Sequence, residues 1–216
     1  MNFDYKKILL LLVVFSFFCC KDSAGESGGD NQSQAIEDLL KQVKTTKTLN
    51  TFDEEACSVY WIEPGSNSPD AKITKAVIRN DIKEGDGAFK INYSFSGKSL
   101  STVNEYVLLE EIWADYRPDL SFHPLGVSLW VKGDAGNNVT LRLMLIQDKT
   151  LAASRDKRSY FYYSDDQILN RSGWQRLVIP YDSFKLFIGQ PGENLELSRV
   201  MGYRIDAVNK DGKASQ

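Results

Sequence analysis

Apolar and polar residues alternate with a period of two through most of the chain after residue 51. This alternation is typical of strands that have one buried face. It predicts strands at residues 75–78, 87–95, 106–112, 126–132, 139–147, 160–163, 175–180 and 202–208. Clusters of Gly, Asn and Asp separate these segments and mark turns. About eight strands with almost no helical pattern predict an all-β fold, an antiparallel two-sheet jelly roll.

The alternation also assigns side chains to faces. In residues 126–132 and 139–147, the aliphatic side chains lie on one side of each strand. We expect that side to pack between the two sheets. The opposite side carries Trp130 in the first segment and Arg142 in the second. We expect these two side chains to share one outer surface.

The first twenty residues follow a different pattern, in which two lysines precede an apolar run at 8–18 and cysteines follow it. This layout is typical of an export leader. The run is shorter than the roughly 17 to 25 residues that a membrane-spanning helix needs. The segment resembles the signal of a bacterial lipoprotein, which implies that residues 1–19 are removed and that Cys20 is acylated. An ordinary secretory peptide, cut elsewhere, is the alternative.

The residues after the cysteine extend that resemblance. Lys21 and Asp22 resemble the charged tag of lipoproteins on the surface of polysaccharide-degrading Gram-negative bacteria. The tag implies a lipid-anchored protein at the outer membrane or cell surface. Residues 23–34 are rich in Gly and Ser and predict a flexible tether, and 35–49 have the spacing of a short amphipathic helix. We therefore place the tether and helix within 20–50 and one domain at 51–216.

Composition excludes several classes of protein. The formal net charge of −3 provides no basic footprint for nucleic acid. Of the three cysteines, the leader and its acylation use two, which leaves Cys57 alone in the domain. A disulfide framework or a cysteine metal cluster is therefore not expected. The apolar share of 42% is enough to bury the core of one domain.

Several stretches follow the order of a known family. They are LGVSLWVKGD at 125–134, GWQRLVIPYDSF at 173–184, LELSRVMGYRIDAV at 195–208 and EGDGAFKINYSF at 84–95. They resemble galactose-binding-like jelly rolls, and more narrowly the carbohydrate-binding modules appended to bacterial cellulases and the related complex I intermediate-associated domain. The resemblance covers most of residues 51–210. It implies a module that binds polysaccharide without catalysis.

The end of the sequence departs from that family pattern. The family continues into a final strand with an acidic residue that is often linked to calcium, whereas residues 209–216 resemble the turn before it. Either the last strand is absent or the sequence is a truncated product, and we assign no metal ligands. Within the motifs, we expect a positive φ at Gly133 and core positions for Trp174 and Phe184.

Sugar recognition needs flat aromatic surface and fixed polar groups. Our candidates for ligand contact are Trp130, Arg142, Tyr160, Tyr162, Trp113, Tyr116, Asp148 and Arg158. Trp113 and Tyr116 are expected to close one end of a groove, and Asp148 and Arg158 to supply polar contacts. For each residue the alternative is an aromatic that covers the outer sheet or a solvated charge.

The search for catalytic residues gives no positive motif. His123 is the only histidine and stands beside Pro124 at the start of a strand, which favours a loop or packing role. Glu110 and Glu111 are neighbours, so they point to opposite faces and cannot form a glycosidase pair with each other. We therefore assign no catalytic residue and no cofactor.

Three functions remain open at this point. The first is non-catalytic polysaccharide binding by a surface lipoprotein, with a glycan-degrading enzyme as an expected partner. The second is a protein-protein interaction module in an envelope assembly. The third is a glycoside hydrolase or lyase accessory domain, for which the sequence supplies only the fold.

Overall fold

The computed structural model describes residues 7–12, 61–96, 104–113, 125–148 and 157–210. These residues form the strands β1 (Lys7–Leu12), β2 (Trp61–Ser66), β3 (Lys72–Ile78), β4 (Ala88–Ser94), β5 (Tyr106–Ile112), β6 (Gly126–Gly133), β7 (Val139–Asp148), β8 (Arg158–Asp165), β9 (Gly173–Pro180), β10 (Lys185–Ile188) and β11 (Val200–Asn209). Short 3-10 helices cover Ile168–Asn170, Tyr181–Ser183 and Leu197–Arg199. The predicted tether and helix, together with Cys20, Tyr116 and His123, lie outside the described residues.

The strands form two antiparallel sheets. The five-stranded sheet has the order β3-β4-β1-β6-β9, and the six-stranded sheet has the order β10-β8-β7-β11-β5-β2. The predicted all-β, antiparallel fold is confirmed, and each of the predicted strands is present. The strand at 106–112 has the bounds that the alternation gave it. The alternation did not predict β2 or β10, and the leader interpretation had placed residues 7–12 outside the fold.

Apolar side chains from both sheets meet in one core. Those exposed by at most 2% include Phe89, Ile91, Val127, Leu129, Val131, Leu141, Leu143, Leu145, Tyr203 and Ile205. The aliphatic sides of β6 and β7 are both among them, so the predicted face assignment is confirmed. Full burial of one such side chain stabilises the fold by roughly 1.5–3 kcal/mol. Phe184 also belongs to this core, as expected.

Gly133 has a different role from the predicted one. Positive φ angles occur at Gly85, Gly136, Gly173 and Gly192, and not at Gly133. A Cβ atom on Gly133 would lie 2.2 Å from the backbone oxygen of Leu169. Glycine is therefore required here because two backbone segments approach closely, and the turn that follows uses Gly136 for its left-handed conformation.

β1 lies between β4 and β6 in the five-stranded sheet. Leu10 is the register partner of Lys90 on one side and of Lys132 on the other. β1 runs antiparallel to both neighbours, so β4 and β6 run parallel to each other. The strand consists of residues that the sequence assigns to an export leader, and that assignment stays a prediction.

One ion pair links the residues that follow strands β8 and β11 of the six-stranded sheet. The Lys210 Nζ lies 2.6 Å from Asp166 Oδ2, and the Thr140 hydroxyl donates to Asp166 Oδ1 at 2.6 Å. These two hydrogen bonds, the one from Lys210 foremost, lower the pKa of the Asp166 carboxyl. The pKa of this carboxyl is lower in the folded state than in the unfolded state. The charged carboxylate therefore stabilises the fold at pH values above its ordinary pKa.

We expect Asp166→Asn to lower the melting temperature near neutral pH and to matter less as the pH falls. The carboxylate is half exposed, so the loss corresponds to less than about 1 kcal/mol. The contribution is present above the unfolded pKa of 3.8 and disappears as the pH falls through the lowered folded pKa. Thermal unfolding of both proteins between neutral and strongly acidic pH measures it. A difference that persists unchanged at the acidic end would contradict this account, and the exposed Asp182→Asn serves as control.

Candidate functional site

The outer faces of the two sheets point away from the shared core in opposite directions. Trp130 lies on β6 of the five-stranded sheet, and Arg142 lies on β7 of the six-stranded sheet. Both side chains point away from the core, because their aliphatic neighbours on each strand fill it. The expectation that Trp130 and Arg142 share one surface is therefore wrong. Alternation separates the two faces of a strand but does not say which sheet the strand joins.

Two arginines and one aspartate form an ionic group on the outer face of the six-stranded sheet. We call Arg142, Arg204 and Asp206 the arginine–aspartate network. The Arg142 Nε donates to Asp206 Oδ2 at 2.8 Å, and its Nη2 contacts the same oxygen. The Arg204 Nε donates to Asp206 Oδ1 at 2.6 Å. Burial by itself would lower the pKa of Arg204, but the Asp206 carboxylate raises it, so the guanidinium stays charged.

Aromatic rings border this network. The Tyr106 ring centroid lies 5.1 Å from the Arg204 Cζ and 5.3 Å from the Arg142 Cζ. On the other side, the Phe187 ring lies 4.7 Å from the Arg142 Cζ and meets Tyr162 edge-on at 5.6 Å. These contacts are cation–π interactions and ring pairs within the protein. The charges of the network are thus satisfied internally, and Phe187, which is 43% exposed, is the open part of this border.

The other candidates on this face are buried or half-buried. Asp148 is fully buried and is the register partner of Arg158, and Tyr160 is 5% exposed. Tyr160 belongs to a second apolar cluster, whose other buried members are Met144, Ile146 and Met201. Apolar, aromatic and cationic groups share this face as packed side chains. Arg158 and Tyr162 are half-buried, and Tyr162 contacts the exposed ring of Phe187.

Glu110 and Glu111 take opposite faces, as predicted. The Glu110 Oε1 lies 3.4 Å from the Arg158 Nη1 on the outer face. Its second oxygen, Oε2, is buried and has no hydrogen-bond partner among the described residues. Glu111 points inward, where its Oε1 accepts a hydrogen bond from the Trp113 indole at 3.0 Å.

Trp113 lies in the core. It is 7% exposed, and its ring centroid is 5.9 Å from that of Tyr203. The expectation that Trp113 closes the end of a groove is wrong, because the side chain packs between the sheets. Residue 113 follows directly after β5, so it keeps the inward parity of that strand.

The outer face of the five-stranded sheet carries a more open group of side chains. Trp130 and Lys132 on β6 are register partners of Arg176 and Trp174 on β9. Opposite residues of an antiparallel pair share a face, so indoles and cations alternate in a two-by-two arrangement that we call the tryptophan–cation patch. Arg176 is exposed, and the other three side chains are half-buried.

Trp174 was expected in the core, and that expectation is wrong. Leu177 and Ile179 of β9 fill the core, which turns Trp174 and Arg176 outward. The indole Nε1 of Trp174 is buried and has no hydrogen-bond partner within the described ranges. The alternation along β9 places Trp174 and Arg176 on the side opposite Leu177 and Ile179. Both residues could therefore have been added to the candidates from the sequence.

Side chains of the β3–β4 loop fix the orientation of Trp130. The Trp130 indole donates to Glu84 Oε1 at 2.8 Å, and the Lys83 Nζ lies 4.6 Å from the ring centroid. Asp81 of the same loop pairs with Lys132. We call these three interactions the loop contacts. They hold the patch to the β3–β4 hairpin and reduce the freedom of the Trp130 ring.

A cleft of about 220 Å³ adjoins the patch. Its lining residues are Ile78, Asn80, Asp81, Lys90, Lys132, Gly133 and Asp134. The volume is below the roughly 300 Å³ of typical small-molecule pockets, so the cleft fits a part of a larger ligand. Two lysines and two aspartates make its wall strongly polar.

Two further searches bear on function. In the part of the chain that the structure describes, no three His, Cys, Asp or Glu side chains are placed to hold a metal ion. The described segments also include no helix that is both long and apolar enough to cross a membrane.

Comparison of the chain with protein-family models, with curated proteins and with solved structures finds no match. The resemblance to galactose-binding-like modules therefore stays a prediction. What is established is the antiparallel β-sandwich and the geometry of its two outer faces.

We expect Asp206→Asn to destabilise the protein by roughly 3–5 kcal/mol, because it leaves two largely buried guanidinium groups without a counter-charge. Asp206 is fully buried, and the Arg204 side chain is 6% exposed. The matched control is Glu196→Gln, which removes the carboxylate partner of Arg199 at a 53% exposed position and should cost less than about 1 kcal/mol. Urea unfolding gives both free energies. Equal losses in the two variants would refute the role assigned to the network.

Proposed function

We propose that this chain is a lipid-anchored surface protein whose sandwich, a galactose-binding-like jelly roll, binds polysaccharide without catalysis. The tryptophan–cation patch is the surface that we assign to the glycan. The observation that carries this proposal is the alternation of two indoles with two cations on an open sheet face beside a polar cleft.

The patch has the chemistry that sugar rings require. Indole rings cover the apolar C–H face of a sugar, and cationic side chains donate hydrogen bonds to its hydroxyl or carboxylate oxygens. The loop contacts keep Trp130 in one orientation, which lowers the entropy lost on binding. The arginine–aspartate network offers less, because Asp206 and Arg204 are buried, whereas Arg176 of the patch is exposed.

The rest of the chain has a matching role in this proposal. Acylation of Cys20 holds the protein to the membrane, and several acyl chains anchor far better than one. The Gly- and Ser-rich tether lets the domain reach outward. A glycan-degrading enzyme on the same surface is the expected partner. These assignments depend on the lipoprotein resemblance of the first residues.

Protein binding is the second candidate, and one observation favours it. Phe187 and Ile188 on the edge strand β10 are 43% and 48% exposed. Exposed apolar side chains on an edge strand favour contact with another protein. A stoichiometric envelope partner that glycan does not displace, and that Phe187→Ala releases, would favour this function over glycan binding.

Affinity electrophoresis against soluble β-glucans, mannans and xylans tests the glycan proposal. We expect at least one polymer to retard the protein. Trp130→Ala should weaken that interaction by about tenfold, equivalent to about 1.4 kcal/mol, because the indole surface is lost. Phe187→Ala removes an exposed aromatic from the opposite side and should leave retardation unchanged. Unaltered mobility in every polymer, or loss through Phe187→Ala alone, would count against the patch.

Membrane attachment has its own test. We expect Cys20→Ala to abolish partitioning into detergent, because no acyl chain can be attached without the thiol. Phase separation of cell extracts measures the distribution, and Cys57→Ala is the matched control. A Cys20→Ala protein that still enters the detergent phase would remove the lipoprotein assignment.

A further inference from the structure

Strands β3, β4, β6 and β9 present charge of one sign on the outer face of the five-stranded sheet. Their outward side chains are those that alternate with the residues packed in the core. The charged residues at these outward positions are all basic: Lys72, Lys90, Lys132 and Arg176. Aspartate and glutamate are absent from the outward positions of these four strands, although the whole chain has 29 acidic and 26 basic residues. Strand pairing therefore collects positive charge on one face of an acidic protein.

Three of these cations form a line across the sheet. Leu10 of β1 is the register partner of both Lys90 and Lys132, so the Cα atoms of the two lysines lie about 10 Å apart, which is two strand spacings. Trp174 is the partner of Lys132, and Arg176 lies two residues further along β9, at a diagonal distance of roughly 7–8 Å from Lys132. The line thus runs through the tryptophan–cation patch and continues across β1 to Lys90, which lines the cleft.

Carboxylates reach this line of cations from loops. Asp81 of the β3–β4 loop pairs with Lys132, and Asp134, which follows β6, lines the same cleft as Lys90. Both side chains of the Lys132–Asp81 pair are partly exposed, so water screens their attraction and an anionic ligand can compete with Asp81. Lys90 has no carboxylate partner within the described ranges. The cations on the strands are therefore accessible to a negative group from outside.

The ligand that fits this line has both rings and repeated negative charge. The indoles of Trp130 and Trp174 offer apolar surface to a ring, and the cations form charge-assisted hydrogen bonds with carboxylate or sulfate oxygens. A ligand with one negative charge would use one cation, whereas three cations in a line match a ligand whose charge repeats. A neutral polymer would contact the indoles but would gain nothing from the charges.

Single-stranded nucleic acid also combines rings with repeated charge. Proteins that bind it usually have an excess of basic residues, whereas this chain has a formal net charge of −3. An anionic polysaccharide, in which hydroxyl groups separate the charges, matches three cations on an acidic protein better. An oligonucleotide therefore enters the test as a competitor.

We propose that the glycan bound at the tryptophan–cation patch is anionic, a polysaccharide with carboxylate or sulfate groups at intervals along its chain, and that Lys90 belongs to its binding site. This inference rests on the proposed function and names the substrate class of that site. Lys132 and Arg176 bind the anionic groups beside the indoles, and Lys90 binds a further group on the other side of β1. Asp134 opposes this binding by repulsion, because it lines the same cleft as Lys90.

Binding of the full chain, kept in a nonionic detergent, to paired polymers tests this proposal. Polygalacturonate is compared with its carboxyl-reduced form, which keeps the backbone and loses the charge, and dextran sulfate is compared with dextran. We expect at least one charged polymer to bind at least about tenfold more tightly than its neutral counterpart, because two or more ion pairs contribute. Added salt should reduce this difference, because it screens exposed charges. The pair that shows the difference identifies carboxylate or sulfate as the recognised group.

Two charge variants with opposite expected effects make the test specific to this face. Lys90→Gln should weaken binding of the charged polymer by about three- to fivefold, and Asp134→Asn should tighten it by a similar factor. Binding of a neutral polymer should not change in either variant. Lys185→Gln removes an exposed lysine from the six-stranded sheet and is the matched control. Shifts of the same sign in the first two variants, or equal weakening by Lys185→Gln, would overturn the assignment.

Further outcomes separate this inference from the proposed function. Equal binding of charged and neutral polymers, weakened in both by Trp130→Ala, would overturn the anionic ligand and leave glycan binding in place. Binding of the charged polymer that Trp130→Ala leaves unchanged would overturn the inference, since charge alone would account for it. Displacement of that polymer by an oligomer of deoxythymidine at equal charge concentration would also overturn it. Absence of binding to every polymer, charged or neutral, would remove both the inference and the proposed function.

Discussion

Burial of the aliphatic half of β6 and β7 is the interaction on which both outer faces depend. Leu129 and Val131 from one sheet meet Leu143 and Leu145 from the other in the same core. Because packing fixes the side chains that point inward, the alternate side chains of each strand must point outward. Trp130 is therefore presented on one side of the molecule, and Arg142 on the other.

The two outer faces differ in how deeply their charged groups are buried. On the six-stranded sheet, arginines face buried carboxylates and aromatic rings, which gives a rigid surface with few free donors. Removal of one charge there leaves others unbalanced in a medium of low polarity, so this face is sensitive to substitution. On the five-stranded sheet, Lys132 and the Trp130 indole also have carboxylate partners, but those partners belong to a loop and Arg176 is exposed. The greater exposure of the second face is the reason why our proposal assigns the glycan to it.

The sequence predicted the strands with a clear two-residue period and the side of each strand that faces the core. It did not predict β2, where Pro64 and Gly65 interrupt the alternation and shift the register, or the four-residue edge strand β10. Which sheet a strand joins depends on long-range pairing, and the alternation carries no information about that pairing. The expectation that Trp130 and Arg142 share one surface was therefore wrong. The role of Gly133 depends on contact with Leu169, 36 residues away, which local turn chemistry could not reveal.

The β3–β4 loop touches the tryptophan–cation patch on β6, although β1 lies between β4 and β6 in the sheet. Order of the loop and order of the Trp130 indole are therefore coupled, because Glu84 and Lys83 cannot move away from β6 without releasing the indole. Thermodynamic linkage makes such an effect reciprocal. An interaction that holds the indole in place would also keep the loop ordered, and a substitution that loosens the loop would loosen the indole.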